Sequence, residues 1–414
     1  MASRREGGGQ GSAGGADAVG ASGAAEGGAR DALSILLLPG DGIGPEVTRA
    51  ARQVLEEAAA QVGCRLSLEE GLIGGAAHDA EGAPVSAETL ARASAADAVL
   101  LGAVGGPRYD LLPPAERPER GLLALRAHLG VYANLRPARC FAPLLHKSPL
   151  KERLIAGADL LFVRELIGGI YFGRPSGIEG EGAARAGYDT MRYSDGEVRR
   201  VAALAFELAG RRRGRLTSVD KANVLASSRL WRETLNDLAP RYPEVELEHL
   251  YVDNCAMQLT TAPGRFDVLV TGNLFGDILS DEAAALTGSL GLLPSAALGA
   301  GAGLYEPVHG SAPDIAGQGV ANPIAAILSA ALLLRWSGGQ EEAAAAIERA
   351  VEGALAAGLR TPDIFTGAAG ERRVGTEALA GEICARLAGA DDALRAADEQ
   401  GAGRPQDREE QPDG

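Results

Sequence analysis

Short apolar runs alternate with amphipathic segments along most of this chain, and that alternation limits the folds open to it. Residues 34–38, 65–70 and 98–101 read as strands, and between them residues 46–62 and 86–95 carry apolar positions at helical spacing. Further strands are expected at 160–164, 216–219, 245–251 and 266–270, with helices at 197–210 and 226–238; residues 254–260 continue the pattern. Two Ala-rich helices, 323–336 and 341–357, should pack as a cover. Strands alternating with helices predict an α/β fold with a largely parallel sheet. No internal repeat is visible, and 414 residues allow two domains or one large one.

Composition narrows the function. The formal charge of -15 argues against a nucleic-acid partner, which calls for a basic patch. An anionic substrate would then need a local basic cluster. Residues 324–334, the richest apolar stretch, are too short to span a bilayer, so no membrane association is expected. Cys64, Cys140, Cys255 and Cys384 form no CxxC pair, which suits a reducing, cytoplasmic setting and argues against a disulfide framework or a zinc site. Residues 1–31 are rich in Gly, Ala and Ser and lack the apolar centre of a secretory signal. They and residues 391–414 are expected to be flexible tails.

The strand at 266–270 leads into Thr271-Gly272-Asn273-Leu274-Phe275-Gly276-Asp277-Ile278-Leu279-Ser280-Asp281. Asn273 and Gly276 are expected to turn the chain into a helix. Positions i and i+4 then put Asp277 and Asp281 on one face. Paired carboxylates suit a hard divalent cation, Mg²⁺ or Mn²⁺, although an ordinary solvated acidic face has the same spacing. A glycine turn, Gly40-Asp41-Gly42-Ile43-Gly44-Pro45, follows the first strand. It suggests an anion or nucleotide site, or simply a tight turn ahead of a helix. Its spacing is not G-x-G-x-x-G, so the Rossmann fingerprint is absent.

Arg126, Arg136 and Arg164 are the candidate basic cluster. Three guanidinium forks can grip a dicarboxylate, and each can equally serve an ordinary ion pair. Tyr171 in Gly169-Ile170-Tyr171-Phe172 and Lys221 at the end of a strand are candidates for proton transfer. Their bland alternatives are core packing and surface charge. Asp253 follows another strand as a possible third carboxylate, and His309 lies in a turn-rich loop.

Together these segments resemble the isocitrate/isopropylmalate family of β-decarboxylating dehydrogenases, over about residues 35–387. The stretches that carry the resemblance are 38–47, 163–173, 220–224, 270–281 and 306–322. The resemblance implies a two-domain α/β fold that is not a Rossmann fold. Residues 33–131 with 288–389 would form the cofactor-binding domain, and 132–287 the substrate, metal and dimer-interface domain. It implies a carboxylate clamp of Arg126, Arg136 and Arg164, metal ligands Asp253, Asp277 and Asp281, and Tyr171 and Lys221 as acid and base. Lys221 and Asp253 would act in the partner's site, so a homodimer is implied. NAD would contact Ile43, Glu119, His309, Gly310, Ser311, Ala312, Asp314 and Asn322. A carboxylate at Asp314 accepts from ribose hydroxyls and repels a 2′-phosphate, favouring NAD over NADP. The segment 118–123 resembles the form whose apolar residue, here Leu122, meets an isopropyl group, so (2R,3S)-3-isopropylmalate is the implied substrate. A malate- or tartrate-type relative and a catalytically silent nucleotide-binding paralogue are the alternatives.

Overall fold

The computed structural model describes residues 28–401. The expected N-terminal tail lies almost wholly outside that range, as do residues 402–414. β1 (Ala32–Gly40) leads through the glycine turn to α1 (Gly44–Gln61), then β2 (Arg65–Glu70), α2 (Gly74–Glu81), α3 (Ala87–Ala95) and β3 (Ala98–Ala103). α4 (Pro118–Leu129) ends at Gly130, whose left-handed backbone suits glycine. There follow β4 (Ala133–Arg139), the short α5 (Glu152–Ile155) and β5 (Asp159–Glu165). An exposed hairpin, β6 (Gly177–Glu179) and β7 (Ala186–Tyr188), comes next. α6 (Asp195–Gly210) starts at a capping box in which Ser194 and Glu197 satisfy each other's backbone N–H groups.

β8 (Arg215–Asp220), α7 (Ala226–Leu238), β9 (Glu246–Tyr251), α8 (Val252–Thr261), β10 (Val268–Thr271) and α9 (Asn273–Thr287) continue the alternation. The chain then returns through β11 (Pro294–Leu298) and β12 (Gly303–Pro307) to α10 (Ile324–Trp336), α11 (Glu341–Ala356) and α12 (Thr376–Gly401). α12 thus carries regular structure through the first residues of the expected C-terminal tail.

Ten strands form one sheet in the order β2-β1-β3-β12-β11-β4-β5-β10-β8-β9. The two flanks are parallel, as the strand–helix alternation requires. At the centre β11 runs antiparallel to both β12 and β4, and β4 antiparallel to β5. Sequence periodicity gave no sign of this reversal. Strands drawn from 32–103 and 294–307 make one flank, and those from 133–271 the other. α10 is buried from Ile324 to Leu334 and packs on β11, β12, α1 and α11. That burial on all sides explains a helix without a polar stripe. Among the described residues no helix is long and apolar enough to cross a membrane.

Candidate active site

The three arginines gather where the two flanks meet. β4 supplies Arg136, β5 supplies Arg164, and the last turn of α4 supplies Arg126. Arg164 is 4% exposed; its Nε and Nη2 donate to Asn273 Oδ1 at 3.0 and 2.7 Å, and its Nη1 to Asp277. Arg136 donates from Nη1 to Asp281 at 3.1 Å and to Ser280 Oγ at 2.7 Å, from Nε to Asn134 at 2.8 Å, and lies 3.5 Å from Asp277. Arg126 Nη2 donates to Glu306 Oε1 at 2.7 Å. Burial pushes the Arg164 guanidinium down to about 10, the positive charges of Arg136 and Arg126 push the same way, and Asp277 opposes them. Burial also lowers Arg136, against the pull of Asp277 and Asp281. Three guanidinium groups are thus held together by three carboxylates, Glu306, Asp277 and Asp281.

α9 places the acids. It begins directly at Asn273 behind Gly272, so the expected turn at Asn273 and Gly276 is instead the first turn of the helix. Gly276 is required there, because a Cβ would stand 2.7 Å from Arg164 Cγ. Asp277 and Asp281 share a face as the i, i+4 spacing demands, with Arg136 reaching both. Tyr171 donates its hydroxyl to Asp277 Oδ2 at 3.0 Å. Burial and the Asp277 charge hold the Tyr171 hydroxyl above its usual range, which keeps it a proton donor. Burial and Asp277 also raise the Asp281 carboxyl, with Arg136 pulling it down.

Lys221 and Asp253 form a separate pair at the ends of β8 and β9. Lys221 Nζ lies 2.6 Å from Asp253 Oδ1. That contact lowers the Asp253 carboxyl, whose side chain is 67% exposed. No ion pair among the described residues joins this pair to Asp277 or Asp281. Nor do three acids, histidines or cysteines in the described residues gather into a metal-sized group. Within one chain, therefore, Asp277 and Asp281 are together and Asp253 is not with them.

Of the proposed cofactor residues, the structure joins Ile43 directly to the loop 309–314. Ile43 N–H donates to Ser311 C=O at 2.8 Å, joining the glycine turn to the loop 309–314. Gly42 has φ +58, and a Cβ there would stand 2.0 Å from Ser311 O, so glycine alone permits the contact. Ala312 holds a positive φ of 37, a local strain in the same loop. His309 Nε2 is buried without a hydrogen-bond partner, while Nδ1 lies 3.0 Å from Gly310 O. Burial lowers the His309 ring below its ordinary range, so it is neutral. Asn322 Nδ2 donates to Asp363 at 3.0 Å, and Asp314 and Gly310 are exposed. The Glu119 carboxylate lies over Gly105. Glu119, Leu122 and Arg126 are spaced i, i+3, i+7 on α4, so one helix face carries an acid, an apolar residue and an arginine.

Sequence reasoning missed Glu306, Ser280, Asn134 and Asn273 as partners of the three arginines. Each lies far along the chain or beside residues whose own signal was stronger; no local spacing announces such pairs.

Residues 34–383 match the family model described as isocitrate/isopropylmalate dehydrogenase. The chain belongs to the isocitrate/isopropylmalate dehydrogenase family. A 3-isopropylmalate dehydrogenase from a Synechococcus strain is 59% identical over 85% of this chain and 95% of its own length. One from Hahella chejuensis is 58% identical over 86% and 99%. Among solved structures, an isocitrate dehydrogenase from Methylococcus capsulatus superposes with a TM-score of 0.75 at 36% identity, covering 86% of this chain and 99% of that one. A β-decarboxylating dehydrogenase from Thermococcus kodakarensis does so with a TM-score of 0.71 at 33% identity, covering 90% and 100%. The expected fold class stands: a mixed α/β molecule of this family.

Proposed function

We propose that this chain is an oxidoreductase of leucine biosynthesis that converts (2R,3S)-3-isopropylmalate to 4-methyl-2-oxopentanoate and CO₂ with NAD. The relatives named for that activity, at 56–59% identity, support the reading. The single observation that carries it is the convergence of Arg126, Arg136 and Arg164 with Asp277, Asp281 and Tyr171. Solved structures in the family include isocitrate enzymes, so fold alone does not choose the substrate. Leu122 supports the isopropyl reading: it sits one turn before Arg126 and packs, half-buried, on an apolar cluster, and its own side chain offers a third carboxylate no hydrogen bond.

The donor set fits a hard dication. Asp277 and Asp281 are oxygen donors on one helix face, which is the ligand chemistry such an ion prefers. Asp253 would complete the set from a second subunit. The buried, unpartnered Nε2 of His309 fits a cofactor beside the loop 309–314. When bound, the dication supplies Lewis-acid polarisation at the C2 oxygen and the nicotinamide supplies the hydride acceptor. The arginines bind and orient the two carboxylates. Lys221 Nζ takes the proton of the C2 hydroxyl, and after CO₂ has left, Tyr171 gives its hydroxyl proton to C3. Leu122 covers the isopropyl group and excludes water from it.

The separation of Lys221–Asp253 from the other acids supports a homodimer with shared sites. Met257, 59% exposed, is one turn from Asp253 on α8, and Ile278, 58% exposed, adjoins Asp277 on α9. A second copy covering these apolar residues would carry Asp253 and Lys221 toward the neighbouring site. In this reading the flank from 33–131 with 288–389 is the cofactor domain, 132–287 is the substrate domain, and the four free cysteines suit the cytoplasm. A panel of isopropylmalate, isocitrate and D-malate with NAD or NADP, with and without EDTA, tests it. Isopropylmalate with NAD and metal should turn over fastest; isocitrate or NADP performing equally well would overturn the substrate or cofactor assignment.

A further inference from the structure

Asn273 uses its whole side chain inside the site. Oδ1 accepts two N–H groups of Arg164, at 3.0 and 2.7 Å. Nδ2 donates to Leu166 C=O at 2.9 Å and to Gly168 C=O at 3.1 Å. Its backbone N–H donates to Tyr193 Oη at 2.8 Å. The residue is 1% exposed, so water cannot replace these partners. It is the first residue of α9, and Asp277 and Asp281 follow on the same helix face at i+4 and i+8.

The two sides of this amide face different working parts. One holds the flat guanidinium of Arg164, which also donates to Asp277. The other holds the carbonyls of the turn 166–168, and that turn leads within three residues to Tyr171, itself bound to Asp277. Glu165 fixes the same turn from below by accepting from Ile167 and Gly168 N–H at 3.2 and 2.8 Å. A primary amide is the side chain that accepts two hydrogen bonds at one end and donates two at the other. Aspartate matches its shape but offers only acceptors. Alanine or serine cannot reach both sides.

We infer that Asn273 is a positioning residue that locks the carboxylate-binding Arg164 and the turn bearing Tyr171 into one rigid unit, so that substrate binding and proton delivery share a single geometry. The inference rests on the reading of Arg164 and Tyr171 given above. It also divides the labour of the amide: the oxygen serves binding, and the nitrogen serves proton delivery.

Two variants of the full-length protein separate these jobs. Isopropylmalate binding is read by calorimetry, turnover with NAD and Mg²⁺ by steady-state kinetics, and folding by thermal denaturation. Asn273→Asp keeps acceptors for Arg164 but sets a carboxylate against two carbonyls. It should hold the isopropylmalate Kd within about threefold while kcat falls by about 10²-fold, the scale of a displaced catalytic group. Asn273→Ala loses both functions, so Kd should rise by about tenfold alongside a similar loss of kcat. If the unmodified protein does not turn over isopropylmalate, the functional reading fails and not this inference. If it does, and Asn273→Asp retains parental kcat, the inference is overturned, whether or not Asn273→Ala folds. Equal losses in Kd and kcat for Asn273→Asp would also overturn it, since the amide would then have no divided role.

Discussion

Replacing Glu306 with Gln should destabilise the free protein yet make it respond more strongly to its substrate. Arg126 and Glu306 meet at 2.7 Å with side chains only 14% and 7% exposed, and Arg126 Nε is buried without a partner. With charge centres about 4 Å apart and an effective dielectric of about 20, the attraction is about 4 kcal/mol. The glutamine oxygen still accepts a hydrogen bond from a charged donor, worth about 1.5–3 kcal/mol. The net loss is therefore roughly 2 kcal/mol. At about 2.1 cal/mol/K per residue over roughly 370 described residues, that lowers Tm by about 2–3 °C. The excess positive charge now faces Arg136 and Arg164, and a bound dicarboxylate relieves it. Scanning calorimetry with and without isopropylmalate should show a larger ligand-induced rise in Tm for Glu306→Gln than for the parent, by linkage. A smaller or equal rise would refute the claim that Glu306 neutralises an anion-binding arginine.

Further outcomes follow from the same geometry. Asp277→Asn should abolish most turnover, and the parent in excess EDTA should behave likewise; activity persisting in either would remove the metal from the scheme. Leu122→Ser should slow isopropylmalate turnover by about one to two orders of magnitude through lost apolar contact, measured as kcat/KM. Lys221→Ala and Arg136→Ala should each be nearly inactive alone. After subunit exchange the mixture should regain up to about one quarter of parental activity, because a mixed dimer collects both lesions in one site and spares the other; no recovery would mean that each site is built from one chain. Burial pushes the Glu165 carboxyl up to about 7, overriding two donated backbone N–H groups. Its folded pKa then lies above its unfolded one, so its contribution to stability is full below about pH 4 and is lost as pH rises through about 7. Glu165→Gln should flatten that part of the stability–pH curve in urea titrations; an unchanged slope would show that another group carries it.

The local chemistry of this protein is written in its sequence. Hydrophobic period marked most strands and helices, because side-chain direction repeats every two residues in a strand and about every 3.6 in a helix. The same rule put Asp277 and Asp281 on one face with no tertiary information. The order of motifs sufficed to recognise the family. What the sequence could not decide is everything that depends on which distant segments meet. Arg126 finds Glu306 180 residues away, and Arg164 finds Asn273 109 residues away. The antiparallel centre of the sheet, where β11 and β4 join the flanks, leaves no periodic trace either, because a strand has the same pattern whichever way its neighbour runs. The positive charge between the two aspartates shows the difference plainly. The i, i+4 spacing alone leaves a bound cation and a solvated acidic face both open; only the folded chain shows that Arg136 reaches both carboxylates, since that contact depends on β4 lying beneath α9.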